Sequence, residues 1–222
     1  MRKKVGNLKT FVTTCAFTAA VGFMLIASMP VVRADENLFP VKVGSSWKMK
    51  GNAGAQNVEM VAKIVSSTTT VGSTIVGMQW TQGGRAIQDE TYIVSKTQVV
   101  RSRSGAKGSS ALNPPIPIIV YPMVVGKSWK WSGTIVTKGG QTKASATLKV
   151  GPKEKVYTAA GIFNTYRVNM VLAIQAGAKT ISMPNSYWFA PNVGMVQQKL
   201  AIPTPNGKFL VVKAVVTEVK VK

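Results

Sequence analysis

Two stretches of this chain decide its fold: Phe39-Pro40-Val41-Lys42-Val43-Gly44-Ser45-Ser46-Trp47-Lys48-Met49-Lys50-Gly51 and, 82 residues later, Tyr121-Pro122-Met123-Val124-Val125-Gly126-Lys127-Ser128-Trp129-Lys130-Trp131-Ser132-Gly133. Both copies place an aromatic residue before proline, then glycine, Ser-Trp-Lys and a closing glycine at the same offsets. A repeat at this distance indicates one supersecondary unit that is used twice. We therefore expect two related halves, which begin at these motifs.

The motif itself has a structural and a functional interpretation. Proline limits pairing before the motif, glycine allows a turn with positive φ, and Trp47 and Trp129 then begin a strand whose large aromatic side chains are expected in the core. The alternative is an aromatic platform for a sugar or an apolar ligand. Trp131, Tyr187 and Trp188 are the weak candidates for such a ligand-binding site.

The rest of the chain after residue 34 is typical of strands. Runs rich in β-branched residues, such as residues 58–65 and 144–150, alternate with glycine-containing turns, and no window shows a capped helical period. The sequence predicts an all-β protein, in which two antiparallel halves form one curved sheet or open half-barrel with little helix besides the signal segment. We expect the halves at residues 35–100 and 121–200, a basic and proline-rich linker at 101–120, and a C-terminal hairpin and strand at 201–222.

Residues 1–34 have the pattern of a secretory signal peptide. Arg2, Lys3 and Lys4 precede an apolar stretch at 11–29, and Val32-Arg33-Ala34 resembles a cleavage site. The protein is therefore expected to be exported and to be periplasmic or secreted after cleavage near Ala34. An uncleaved anchor remains the alternative, because the apolar stretch is long enough to span a bilayer.

Composition excludes several chemistries. The 222 residues include no histidine and one cysteine, Cys15, which lies in the signal segment. A thiolate nucleophile, an imidazole acid–base group and the usual zinc ligands are therefore missing from the expected mature chain. No motif indicates a cofactor or a metal, so we predict none and expect a protein that is not an enzyme. A hydrolase with a carboxylate pair or a Ser–Lys dyad is the remaining enzymatic alternative.

Positive charge is the strongest indication of a partner. After removal of residues 1–34, the chain keeps 23 basic and seven acidic residues, a net charge of +16. This charge favours anionic polymers or surfaces, such as lipopolysaccharide, acidic polysaccharide, nucleic acid or an anionic membrane. The basic candidates for an anion-binding site are Arg101, Arg103 and Lys107 in the linker, and Lys153 and Lys155 around Glu154.

The basic residues also have a structural interpretation. Of the 23, 19 are lysines, and most of them are scattered singly along strands, where they prevent edge-to-edge aggregation. Proteins that read phosphate groups specifically prefer arginine, because its planar fork binds phosphate in a bidentate way. We therefore expect no sequence-specific recognition of nucleic acid.

A second set of residues carries a family resemblance. The aromatic-Pro-x-x-x-Gly-x-Ser-Trp motif occurs with Ala159-Ala160-Gly161-Ile162-Phe163 and with Tyr187-Trp188-Phe189-Ala190-Pro191-Asn192-Val193-Gly194-Met195-Val196. Together they resemble exported bacterial β-sheet proteins that contain a domain of unknown function. The resemblance covers most of residues 121–196, although Ala159 stands where that family usually has proline. It implies a strongly curved antiparallel sheet and brings no catalytic residue.

These observations favour an exported binding or envelope-associated module without enzymatic activity. Its concave face would hold an apolar or lipid ligand, because strands rich in valine, isoleucine and methionine supply an apolar lining. A lysine-rich surface that binds anionic polymers is the alternative.

Overall fold

The computed structural model describes residues 37–204 and 206–222. The predicted signal peptide and its cleavage site at Ala34 lie outside the described residues. Within the described residues, twelve strands follow one another, with one 3₁₀ turn at Ala106–Gly108. They are β1 Ser46–Ala53, β2 Gln56–Thr70, β3 Ser73–Gln82, β4 Arg85–Ser95, β5 Gln98–Ser104, β6 Ser110–Val120, β7 Ser128–Thr137, β8 Gly140–Thr158, β9 Gly161–Ala176, β10 Lys179–Ala190, β11 Gly194–Pro203 and β12 Phe209–Lys220.

The strands form one closed antiparallel barrel. Each strand pairs with its neighbours along the chain, and β1 pairs with β12 to complete the ring. The all-β antiparallel prediction is confirmed, and the curvature of the single sheet continues until its first and last strands meet. No helix in the described part of the chain has the length and apolar character needed to cross a membrane.

The two copies of the repeated motif make the same backbone hydrogen bonds. Gly44 has φ 87° and donates its N–H to the carbonyl oxygen of Ile64 at 2.9 Å. Gly126 has φ 88° and donates in the same way to Val150, also at 2.9 Å. In both copies the residue on the partner strand donates back into the turn, so each motif joins its own strand to the next one. The positive φ explains glycine at this position, since side chains rarely adopt it.

The tryptophans of the motif occupy three different environments. Trp47 is buried, and its indole N–H donates to the carbonyl of Val193 at 2.7 Å. Trp131 is also buried, whereas Trp129 is only partly buried. The core position expected for Trp47 is observed, while in the second half Trp131 is more deeply buried than Trp129.

The barrel is closed between β6 and β7 mainly by side chains. Backbone pairing between these strands covers only Ala111, Leu112 and Asn113. Prolines follow in β6 and have no N–H to donate. The indole N–H groups of Trp131 and Trp129 donate instead to the carbonyls of Pro114 and Pro117, each at 2.9 Å. Two indole N–H groups from β7 thus connect to carbonyl groups of β6 where the backbone pairing has ended.

Residues 101–120, which the sequence suggested as a linker, belong largely to β5 and β6. The Arg-Ser alternation at 101–104 pairs with β4, and residues 110–120 pair back onto β5 with two irregularities in register. The prolines lie where pairing with β7 stops. A proline-rich stretch can therefore form a barrel strand when one of its sides is unpaired, because proline has no N–H to donate on that side.

Candidate functional site

The barrel contains a cavity of about 330 Å³, which extends inward from one end. Its lining comes from β1–β6 and β10–β12 and is mostly apolar. The lining residues are Phe39, Pro40, Trp47, Met49, Ala53, Val58, Met60, Ala62, Met78, Trp80, Gln82, Ile87, Gln88, Glu90, Tyr92, Arg101, Ile118, Tyr187, Phe189, Gly194, Met195, Gln198, Leu200, Ile202, Leu210 and Val212. Small-molecule sites commonly have volumes of about 300–1,000 Å³, so this cavity lies at the small end of that range.

The mouth of the cavity lies at the turns that follow β1, β3 and β11. In an up-and-down barrel these turns all lie at the same end, and the lining residues nearest to them include Gln82, Ile87 and Ile202, all exposed. The side chains of Ile87 and Ile202 therefore make part of the rim of the entrance apolar. The site is therefore accessible to an apolar molecule from this end.

The segment before β1 covers the opposite end. Leu38 is fully buried there, and its N–H donates to the Tyr121 hydroxyl at 3.3 Å. Phe39 lines the cavity and packs on the Tyr92 ring with a centroid distance of 4.6 Å. The carbonyl of Asn37 accepts a hydrogen bond from the Asn192 amide at 2.7 Å. The aromatic-proline start of the first motif thus forms the inner end of the cavity.

A buried glutamate organises one side of the cavity. Glu90 is 4% exposed, and its carboxylate accepts four hydrogen bonds. Oε2 accepts from the Trp80 indole at 2.9 Å and from the Tyr92 hydroxyl at 2.7 Å. Oε1 accepts from the Gln88 amide at 2.9 Å and from the Arg101 guanidinium at 3.1 Å. These bonds occupy the roughly four acceptor positions of a carboxylate.

Arg101 carries the positive charge of the same cluster. Its ion pair with Glu90 lies inside the barrel, and its Nε is buried without a hydrogen-bond partner. Burial acts against the charge, but the interactions with Tyr187 and Glu90 outweigh it and raise the pKa of Arg101 above its ordinary value. The guanidinium therefore stays charged and keeps more donors than its described partners use.

Two tyrosines complete the polar cluster. Burial is the main cause that raises the pKa of Tyr92 well above its ordinary value, and the Glu90 carboxylate adds to this effect. Burial also raises the pKa of Tyr187, although the nearby Arg101 acts in the opposite direction. Both hydroxyls therefore remain protonated and can donate. We call Gln88, Glu90, Arg101 and Tyr187 the polar wall of the cavity.

The structure brings two of the sequence candidates together in this cavity. Tyr187, a predicted ligand-binding residue, lies beside Arg101, which the sequence predicts to be an anion-binding residue of the linker. Arg101 points inward because it is the cross-strand partner of Tyr92, and directly paired residues share a face. It is therefore not part of an exposed anion site.

The other two aromatic candidates do not line the cavity. Trp131 is held at the junction of β6 and β7 by its bond to Pro114. Trp188 lies between Tyr187 and Phe189, whose rings stack on the cavity side with centroids 6.3 Å apart. Its indole N–H donates instead to Glu154 at 2.7 Å, and that carboxylate also pairs with Arg167 at 3.3 Å.

The remaining basic candidates are exposed but separate. Arg103 lies near the end of β5 and Lys107 in the 3₁₀ turn that follows it, near the mouth end of the barrel. Lys153 and Lys155 lie on β8, where the Lys153 ammonium sits 4.4 Å from the centroid of the Tyr166 ring. Glu154 between these lysines bonds to Arg167 and Trp188 rather than to either of them.

The cavity lacks the groups of the hydrolase alternative. Glu90 is the single carboxylate among its lining residues, and no lysine or serine lines it. Its neighbour Asp89 belongs to the other face of β4 and accepts a hydrogen bond from Gln79 at 3.1 Å. Within residues 37–204 and 206–222, no three potential metal-ligating side chains come together.

Sequence reasoning missed the centre of the polar wall. No motif of the sequence singles out Glu90, Trp80 or Gln88. The signal that could have found it is the position of Glu90 within β4, where every second side chain faces the core. A carboxylate that is buried in this way needs hydrogen-bond partners. Its partners could be identified only after the register of β3, β4 and β5 was known.

Comparison with known proteins supports the fold. The sequence model described as DUF3108-like matches residues 134–200, less than a third of the chain. No curated protein matches the chain.

Two crystal structures are similar over 82% of this chain and 98% of their own. One is a candidate lipoprotein from Parabacteroides distasonis ATCC 8503, with 17% sequence identity and a TM-score of 0.58. The other is a candidate exported protein with a YmcC-like fold from Bacteroides fragilis NCTC 9343, with 16% identity and a TM-score of 0.56. At this level of identity the likeness concerns the fold alone.

Proposed function

We propose that this protein is an exported binding protein without enzymatic activity, which holds one apolar ligand inside its barrel. The observation that carries the proposal is the cavity of about 330 Å³, with a mostly apolar lining and a mouth at one end. Burial of apolar ligand surface contributes about 25 cal/mol per Å², and this term drives binding in such a cavity.

The lining is suited to a flexible chain. Four methionines contribute to it: Met49, Met60, Met78 and Met195. Methionine side chains are unbranched and polarisable, so they adapt to ligands of differing shape. The volume at the small end of the usual range favours a single hydrocarbon chain over a lipid with two chains.

Export is supported by the N-terminal sequence and by the relatives. Residues 1–34 have the composition of a signal peptide, and the two similar structures are described as a lipoprotein and an exported protein. An envelope location would place the barrel beside a source of lipid. Cleavage near Ala34 would leave the segment that covers the inner end of the cavity at the start of the mature chain.

Native mass spectrometry of the protein purified from its host envelope tests this function. We expect a bound species of lipid-like mass on the wild type. Val58→Trp should abolish it, because Val58 lines the cavity near the mouth and a larger ring would fill that space. Val171→Trp is the matched control, since Val171 is exposed and does not line the cavity. A ligand-free mass for the wild type would reject the proposal.

We propose binding of anionic polymers as a second function, on a specific pairing of lysines. Lys199 and Lys213 are exposed and lie directly opposite each other on β11 and β12. Like charges in this position are destabilising, so an anion between them would relieve their repulsion. The two flanking partners, Ser186 and Asn52, bring no carboxylate.

Heparin chromatography tests the second function. The wild type should be retained, with an affinity that falls steeply as salt increases. Lys199→Gln combined with Lys213→Gln should elute earlier than Lys48→Gln combined with Lys50→Gln. The second double variant removes the same charge. However, the ammonium groups of Lys48 and Lys50 already pair with the carboxylate oxygens of Glu59, at 2.8 and 3.1 Å. Equal elution of the two double variants would show that net charge alone sets retention.

A further inference from the structure

The polar wall offers hydrogen-bond donors but few acceptors. The four hydrogen bonds to Glu90 use its acceptor capacity, so the carboxylate has none left for a ligand. Arg101 has five N–H donors, of which one bonds to Glu90 and another to the Tyr187 oxygen, and its Nε has no partner. A ligand that reaches this wall therefore meets donors.

Charge limits the ligand further. The ion pair of Arg101 with Glu90 lies inside the barrel. The strands around it largely shield the N–H donors of Arg101 from bulk water. A ligand with its own positive charge would be repelled by Arg101 and would find the Glu90 oxygens already occupied. An oxygen acceptor would instead satisfy donors that are otherwise incompletely bonded, which is favourable in a buried site.

The remainder of the cavity accepts hydrocarbon. The other lining strands include β1, β2, β11 and β12, which contribute Met49, Met60, Leu200 and Val212. A bound molecule must therefore combine an apolar chain with an acceptor group that bears no donor. Carboxylates, ester carbonyls and related acyl groups have this chemistry.

We infer that the ligand is a single-chain acyl compound, a fatty acid or its ester, whose carbonyl oxygen is bound by Arg101 and Tyr187. This inference rests on the proposed function, since it concerns the same cavity. The planar fork of the guanidinium suits a carboxylate or a carbonyl, and the Tyr187 hydroxyl supplies a neutral donor next to it. Tyr187 on β10 lies beside Arg101 on β5, and the guanidinium donates a hydrogen bond to the Tyr187 oxygen, so the Tyr187 hydroxyl hydrogen and the remaining Arg101 donors can face the same acceptor group.

Calorimetric titration with three probes of equal chain length tests the inference. The probes are dodecanoic acid, methyl dodecanoate and dodecylamine. The acid or the ester should bind at least about tenfold more tightly than the amine, because the amine is a cationic donor facing Arg101. The tighter of the two acyl probes tells whether the group recognised is a free carboxylate or an ester.

Tyr187→Phe tests the position of the acyl group. This variant keeps the ring and removes the hydroxyl, so acyl affinity should fall about fivefold while amine affinity stays unchanged. Tyr157→Phe is the matched control, because Tyr157 is 70% exposed and does not line the cavity. It should bind all three probes as the wild type does.

The possible results separate this inference from the proposed function. If the amine binds as tightly as the acid and the ester, or if Tyr187→Phe keeps the wild-type preference, the acyl assignment is overturned while the cavity remains a binding site. If none of the three probes binds, both the acyl assignment and the proposed function are rejected for chains of this length.

Discussion

The Glu90 carboxylate shows how one buried charge is maintained in an apolar barrel. Four donors from three strands surround it, and one of them is the cation Arg101. A buried charge is tolerated only when it is paired and hydrogen-bonded, so each partner depends on the others. The cluster therefore positions the side chains that face the cavity.

Glu90→Gln should strongly destabilise the protein. The change leaves Arg101 buried without its counter-ion and places an amide N–H₂ among donors, which we expect to cost about 3–5 kcal/mol in the free energy of unfolding. Urea unfolding measures this loss. Asp89→Asn is the control on the outer side of the same strand and should cost less than about 1 kcal/mol. Similar losses for the two variants would contradict the role given to Glu90.

Tyr92 and Tyr187 should make the protein sensitive to alkali. Their folded-state pKa values are raised, so above about pH 10 the unfolded chain loses phenolic protons before the folded one does. Below that pH, these two groups therefore make their full contribution to the free energy of unfolding. The contribution declines as the pH rises above it.

Melting temperatures measured as the pH is raised from neutrality past about pH 10 check this behaviour. The double variant Tyr92→Phe, Tyr187→Phe should lose less stability between neutral and alkaline pH than the wild type loses. Tyr157→Phe, at an exposed position, should follow the wild type. An unchanged alkaline slope in the double variant would show that these two hydroxyls do not control it.

At the level of elements, the repeated motif acts as the start of β1 and of β7. In both copies a glycine near φ +88° turns the chain and bonds to the following strand. Tyr92 and Tyr187 lie on β4 and β10, the fourth strand of each set of six, and both face the cavity. These correspondences support the proposal that the chain contains two related halves.

The junction of β6 and β7 should open first when its tryptophan is changed. Trp131→Phe removes the donor to the Pro114 carbonyl and should cost about 1–3 kcal/mol, because that carbonyl loses its partner. Amide hydrogen exchange at Ala111, Leu112 and Asn113 should accelerate. Trp129→Phe serves as comparison and should have a smaller effect, since Trp129 is less buried. Unchanged exchange in Trp131→Phe would mean that the short backbone pairing alone holds the junction.

The sequence predicts some of these elements better than others for physical reasons. Alternation and glycine turns are local signals, so the all-β antiparallel class follows from them. Arg101 was misplaced because a run of Arg, Ser, Gly and Lys has the composition of a flexible loop, while its direction depends on pairing with β4. Trp131 was considered for ligand binding because no local signal reveals the proline carbonyl that its indole contacts.

At the scale of the whole molecule, closure of the barrel creates the site. The polar wall comes from β4, β5 and β10, and the apolar side comes from β1, β2, β11 and β12. These strands surround one cavity because β1 pairs with β12, although the two strands are far apart along the chain. An open sheet would leave Glu90 and Arg101 in water, where an ion pair is worth at most about 1 kcal/mol. Site and closure are therefore linked.

The heat of binding of dodecanoic acid and methyl dodecanoate, measured at several temperatures, tests most directly that the barrel interior is the binding site. For the wild type we expect one molecule per chain and a negative heat-capacity change, the mark of apolar burial. Val58→Trp should lose this signal and Val171→Trp should keep it. Absence of binding by the wild type, or equal binding by Val58→Trp, would contradict a ligand site inside the barrel.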